Sequence, residues 1–287
     1  MESQKHIGGI LNMTGVRPGN AFAYEGPTMP GMVYYTVTIT TTHDAIDMLV
    51  MPPPLKVDRS QPAELTISYF VNRHNRAFDG RITPYQGFLF TARTMVKGKA
   101  GLAGWEYVDG LYGDKTEMDI MGPWSVYFGM LKKMADIRFL PLGGDKFEIT
   151  VVRRGVRLIT MQLRIGTPLP DSAVHTMNQG TEGAAFGMFT VREIPDSHYT
   201  NFVDRGIYWA GSEGSSIDRA WAADQGSIEF GSLDQDPWTE MPVLSVSRAL
   251  IFESTAPKEV FHHLRLVEEL PKNCVETHAS GKMDVCL

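Results

Sequence analysis

Between Met32 and Thr42 the chain sets Val33, Tyr34, Tyr35, Val37 and Ile39 among threonines, a β-branched and aromatic run that predicts a strand. The apolar period then changes. Ala45, Ile46, Met48, Leu49 and Met51 fall at near-helical spacing behind Asp44, a fitting N-cap, and Pro52-Pro53-Pro54 stops the helix. Strand-like runs return at 65–71, 87–96, 105–111, 147–152, 156–163, 186–194, 227–233 and 244–253. Turn signals such as Asp79-Gly80, Lys97-Gly98, Gly143-Gly144-Asp145 and Arg154-Gly155 separate many of them. Two further stretches, 122–134 and 257–264, read as helical. Many short strands and few helices predict a mainly β (α+β) fold, an antiparallel barrel or sandwich with helices packed at its edges. No composition break or repeat divides the chain. The organisation expected is an irregular arm at 1–31, one β domain at 32–265 and a polar C-terminal tail at 266–287.

Composition narrows the function. The 287 residues are 43% hydrophobic and 21% charged, the make-up of an ordinary soluble globular protein. A net charge of −6 from 27 basic and 33 acidic residues gives no electrostatic reason to expect nucleic acid or an anionic membrane as partner. No window reaches the roughly 18 uninterrupted apolar residues of a membrane span, and no apolar core of signal-peptide length follows Met1. The two cysteines, Cys274 and Cys286, form no disulfide framework. A reducing, cytoplasmic setting is expected.

Several motifs fail on spacing. The glycines of Gly98-Lys99-Ala100-Gly101-Leu102-Ala103-Gly104 match neither G-x-G-x-x-G nor a phosphate loop, and read as turn glycines between strands. His262-His263 lacks the spacing of a zinc site, and no G-x-S-x-G elbow is present. Neither a metal nor a cofactor is expected. The 16 methionines scatter through the apolar runs and read as core filling.

One feature points directly at chemistry. Lys132 and Lys133 stand side by side in the apolar stretch Phe128-Gly129-Met130-Leu131-Lys132-Lys133-Met134-Ala135. A lysine pair is usually a solvated face, because an ammonium is costly to remove from water. Desolvation and a neighbouring positive charge both lower an amine's pKa, however, and a neutral lysine is a nucleophile whose natural target is a carbonyl carbon.

The stretch from Phe128 to Ala135 resembles the G-[FY]-P-K-K-[LM]-A block of the acetoacetate decarboxylase family, with Leu131 in the place of proline. The likeness runs on in order: His43-Asp44-Ala45-Ile46 to Pro54-Leu55, Tyr85 to Gly101, Val151 to Val156, and Trp221 through Gly226 and Pro237 to Pro242-Val243. The resemblance implies a β-barrel core with a deep apolar pocket and an oligomeric assembly. It also implies that Lys132 forms a Schiff base with a ketone while Lys133 depresses its pKa. Three family positions are not reproduced: an arginine falls near Met32, the glutamate of a Y-x-E motif falls near Gly87, and a G-R-E block is replaced by Gly122-Pro123-Trp124-Ser125.

The expected catalytic residues are therefore Lys132 and Lys133, with Tyr85, Gln86, Met130, Met32 and Glu117 as substrate-binding candidates. Tyr112 and Asp119 are further candidates to replace the lost acid-base groups. The activity expected is a Schiff-base lyase that decarboxylates a β-keto acid, with a small keto acid or ketone as partner and a homo-oligomer as the assembly. Aldolase-dehydratase or cyclisation chemistry with the same lysine, and non-catalytic binding of an apolar carbonyl compound, are the competing readings.

Overall fold

A computed structural model describes residues 29–73, 84–111, 125–126, 128–179, 187–198, 200–211, 215–256 and 264–272. Tyrosines, valines and threonines of the first run form β1 (Met29–Thr40), followed by α1 (His43–Leu49). The cap of α1 is Thr42, whose Oγ1 accepts from the Ala45 amide, and not Asp44. Asp44 lies instead in the first turn, where its charge suits the helix dipole, 2.6 Å from Arg59.

Strands then dominate. β2 (Glu64–Asn72), β3 (Tyr85–Val96), β4 (Lys99–Gly110), β5 (Lys132–Met134), β6 (Asp136–Gly143), β7 (Lys146–Arg153) and β8 (Val156–Pro168) precede α2 (Asp171–Gln179). β9 (Met188–Pro195), β10 (Phe202–Ala210), β11 (Ser216–Ala223), β12 (Ser227–Phe230), β13 (Ser245–Ala256) and β14 (Leu264–Glu269) follow it. The expected mainly β class is what the chain adopts. The segment 122–134 is not one helix, because Lys132–Met134 is strand β5. Residues 257–263 of the other expected helix lie outside the described residues, and Leu264 opens β14. That last strand carries the sheet past the boundary expected at 265.

The hairpins close as their turn residues demand. Lys97 and Gly98, at φ 47° and 79°, join β3 to β4, and Arg154 and Gly155, at 51° and 77°, join β7 to β8. Two positive φ values in a two-residue loop match the twist of the flanking strands. The glycines weighed as a phosphate loop thus lie in this turn and in β4.

The sheet runs β14-β10-β9-β4-β3-β2-β1-β13-β11-β8-β7-β6, with β12 on β8 and β5 on β4. Its pairings are antiparallel except at β4, whose start meets β9 and whose end meets β5, both in parallel. β5 runs through Ala135 into β6, so the pairing of β5 with β4 joins the β6 end of the sheet back to its middle. A barrel results, with β9, β10 and β14 as a wing. The seam is tied by Glu106 N–H to Leu131 O at 3.1 Å, Ala135 N–H to Val108 O at 3.2 Å and Ile137 N–H to Asp109 Oδ2 at 2.8 Å.

Alternation along each strand divides the sheet into two buried faces. The main core lies on one: Val37, Ile67, Phe88, Phe90, Tyr107 and Trp238 are all at or below 2% exposure. A second layer, built on Phe70, Tyr85 and Val108 with Met32, Tyr34 and Leu89 against them, lies on the other.

Candidate active site

The chain reaches β5 through Gly129, whose φ is +63°. A Cβ there would lie 2.3 Å from the carbonyl oxygen of Val191, so only glycine permits this approach to β9. On either side of it, Phe128 and Met130 pack with Met188 and Leu264 and anchor the loop.

In β5, Lys132 pairs with Glu106 and Lys133 with Tyr107. Consecutive strand residues point to opposite faces, so the two lysines part company here. Lys132 faces the second layer with its side chain 3% exposed, and meets the carboxylate of Glu106, also 3% exposed, in a buried ion pair. Burial lowers the Lys132 pKa from an ordinary 10.5 to about 7. The Lys132 ammonium position is 5.9 Å from the centre of the Tyr85 ring.

A row of aromatic rings leads to this point across four strands. Phe252 stacks on Tyr34 at 4.7 Å, Tyr34 lies 5.7 Å from Phe70, and Phe70 meets Tyr85 edge-on at 5.5 Å. Burial pushes the Tyr34 hydroxyl up to about 12, so it is a neutral phenol across the working range. Gly87 makes room for the row. A Cβ at 87 would lie 2.3 Å from Phe70 Cζ, so the place where the resemblance puts a glutamate is filled by a benzene ring.

Lys133 faces the other way. Its Nζ donates to Asp236 Oδ1 at 2.8 Å and to Gln235 O at 3.0 Å, and lies 4.7 Å from the Trp105 ring. Tyr107 also donates to Asp236 Oδ1, at 2.8 Å, and Arg153 pairs with Oδ2. The indole N–H of Trp238 donates to the Tyr107 oxygen at 2.9 Å. Burial works against the fully covered Asp236 carboxylate, but the hydrogen bonds from Lys133, Tyr107 and Arg153 outweigh it and hold its pKa below the ordinary value. The Lys133 charge is spent on Asp236 across the sheet, and burial is what depresses Lys132. That differs from the expectation that Lys133 would do so.

The other candidates separate likewise. Tyr85 and Met32 lie on the Lys132 face. Gln86, next to Tyr85 in β3, faces the main core, where it accepts from Tyr69 at 2.9 Å and donates to Ile137 O at 3.0 Å and Gly110 O at 3.3 Å. It fastens β3 to the seam and is not beside Lys132. Met130 stands in the loop cluster with Phe128. Glu117, Tyr112 and Asp119 lie outside the described residues. Glu106 is the group that sequence reasoning missed. Its signal was a carboxylate in the run Trp105-Glu106-Tyr107-Val108, where a strand buried on both faces leaves an acid no water.

Among the described residues no cluster of three His, Cys, Asp or Glu is placed to hold a metal, and no helix is long and apolar enough to cross a membrane. The profile of the acetoacetate decarboxylase (ADC) family matches residues 16–269, and the chain belongs to that family. No curated protein matches it by sequence. Among solved structures, acetoacetate decarboxylase from Legionella pneumophila is 14% identical with a TM-score of 0.67, over 93% of this chain and 99% of that one. An acetoacetate decarboxylase-like enzyme from Sphingomonas wittichii RW1 is 15% identical with a TM-score of 0.62, over 84% and 92%. The enduracididine biosynthesis enzyme MppR, solved in complex with pyruvate, is 15% identical with a TM-score of 0.58, over 84% and 90%. These likenesses show a shared fold.

Proposed function

We propose that the protein is a Schiff-base enzyme acting on a small keto compound, with Lys132 as the nucleophile. The observation that carries this reading is a buried amine with a pKa of about 7 facing an apolar, aromatic layer. A neutral amine adds to a carbonyl carbon and, with loss of water, gives an iminium that withdraws electrons from the adjacent carbon. A β-carboxylate then leaves as carbon dioxide and an enamine remains. Membership of the family supports decarboxylation as the first use of that iminium.

A specific observation favours the second use, carbon–carbon condensation or dehydration. Met32 and Gly87 stand where the family pattern has an arginine and a glutamate, and Met32 packs against Phe70, Tyr85 and Val108. Those positions are apolar, which suits a larger, less charged carbonyl compound. MppR, with a similar fold, has been solved with the condensation product of pyruvate and imidazole 4-carboxaldehyde. Lys133 enters either reaction only as a positioning residue, through Asp236 and the seam.

Borohydride reduction in the presence of acetoacetate, pyruvate or butanone, followed by peptide mass mapping, tests the reading. The expected result is an adduct on Lys132. Its absence with every compound overturns Schiff-base chemistry. Carbon dioxide release from acetoacetate at an enzymatic rate selects decarboxylation over condensation.

A further inference from the structure

The ion pair between Lys132 and Glu106 has no counterpart among the residues that sequence reasoning assigned to the site. Both side chains are 3% exposed and their charged atoms touch. The two residues are register partners on adjacent strands, so the contact is fixed by the sheet and not by a mobile loop. A buried ion pair is in general a poor stabiliser, since desolvation offsets most of the attraction. Its retention beside an activated amine suits proton transfer better than stability.

We propose that Glu106 is the catalytic acid-base partner of Lys132. The proposal rests on the Schiff-base reading above and assigns the proton transfers within it. In the resting pair the Lys132 ammonium faces the Glu106 carboxylate. Passage of one proton from Nζ to Oε1 leaves a neutral amine beside a neutral acid, with no change in the charge of the site. The amine lone pair forms the C–N bond, and the carbonyl π electrons move onto oxygen. Glu106 returns its proton as the C–O bond breaks. Of the three protons on the amine and the acid, two leave with the carbonyl oxygen as water and one stays on the iminium nitrogen. The iminium cation is then matched by the Glu106 carboxylate, so no step buries an unpaired charge. Glu106 takes the place of the family-pattern glutamate by approaching from β4, while the β3 position at Gly87 is closed by the Phe70 ring. Among the described residues Tyr85 borders this pair, its ring centre 5.9 Å from the Lys132 amine, and Lys133 points to the opposite face.

The experiment compares the full-length wild type with Glu106→Gln and Glu106→Asp by two readouts. One is the rate of borohydride trapping on Lys132, using whichever of acetoacetate, pyruvate or butanone traps best on the wild type. The other is competitive acetylation of Lys132 by acetic anhydride across pH, read by mass mapping, which needs no substrate. Glu106→Gln should lower the midpoint for Lys132 acetylation, because the amine loses its anionic neighbour. The same variant should slow imine trapping on the order of 100-fold, the scale of general acid-base catalysis. Glu106→Asp should restore part of the rate. A purely structural role would not make the amine more reactive and the imine slower at once. An unchanged acetylation midpoint, or trapping within twofold of wild type, overturns the role of Glu106. A wild type that acetylates as expected but never traps overturns the Schiff-base reading instead.

Discussion

Lys132 and Lys133 are adjacent in the chain and address opposite faces of one sheet, the first paired with Glu106 and the second with Asp236. The half-turn between strand neighbours places the second charge where it holds the barrel together, and burial, not that charge, is what lowers the pKa of the first.

Replacement of Lys133 by Met should therefore leave imine formation within a few fold of wild type. It should lower stability by about 1 kcal/mol, since a partly exposed charge is lost while Arg153 still serves Asp236. Borohydride trapping and urea unfolding check the two halves. Loss of trapping in a folded variant would restore the charge-repulsion account.

The Lys132 pKa sets the pH profile. With a folded value of about 7, the amine is mostly neutral above that pH, so the trapping rate should rise through pH 7 and level by about pH 9. An ordinary lysine would still be climbing at pH 10. The linkage has a definite sign: between about 7 and 10.5 the unfolded chain binds the proton and the folded chain does not, so this residue costs stability at neutral pH and the cost fades as pH rises.

Asp236→Asn removes the anion shared by Lys133, Tyr107 and Arg153 and should cost about 3 kcal/mol in chemical denaturation. Because the folded pKa of Asp236 is lowered, its contribution is complete above the unfolded aspartate value, about 3.9, and is lost as pH falls below it. The wild type should lose stability more steeply than the variant in that acid range. Parallel acid limbs would count against the assignment.

Gly129→Ala asks for a left-handed backbone in a residue whose Cβ would press on Val191 O at 2.3 Å. A loss of about 2 kcal/mol is expected, with slower trapping because the residues leading into β5 must shift. Normal thermal stability and trapping would show that the loop has room.

Gly87→Ala should cost about 1–3 kcal/mol through overlap with Phe70. Shortening the ring in a Phe70→Leu, Gly87→Ala double variant should recover part of that loss, a coupling that a double-mutant cycle measures. Strictly additive effects would place the two residues out of contact.

How much of this was written in the sequence depends on the length scale of each signal. The runs behind β1, β2, β3 and β7 are rich in β-branched and aromatic residues, and they lie where the pattern put them. β10 and β11 were missed because Asp204-Arg205-Gly206 and Asp218-Arg219 interrupt their apolar period, and neighbouring strands supply what propensity does not. β5 read as helix because three residues are too few to show a period of two. The lysine pair was legible as a doublet, but its partners were not. Glu106 lies 26 positions before Lys132 and is brought to it by the sheet register, while Asp236 lies 103 after Lys133 and reaches it from the turn that follows β12.

The three residues of β5 close the ring and also carry Lys132, the amine proposed as nucleophile. Zipping and arming are thus one event: amide exchange at Ala135, whose N–H is bonded across the seam to Val108 O, reports the same opening that would draw Lys132 from Glu106 and let water reach it. On warming, imine trapping at Lys132 should be lost by fraying at that stitch while the rest of the barrel still stands.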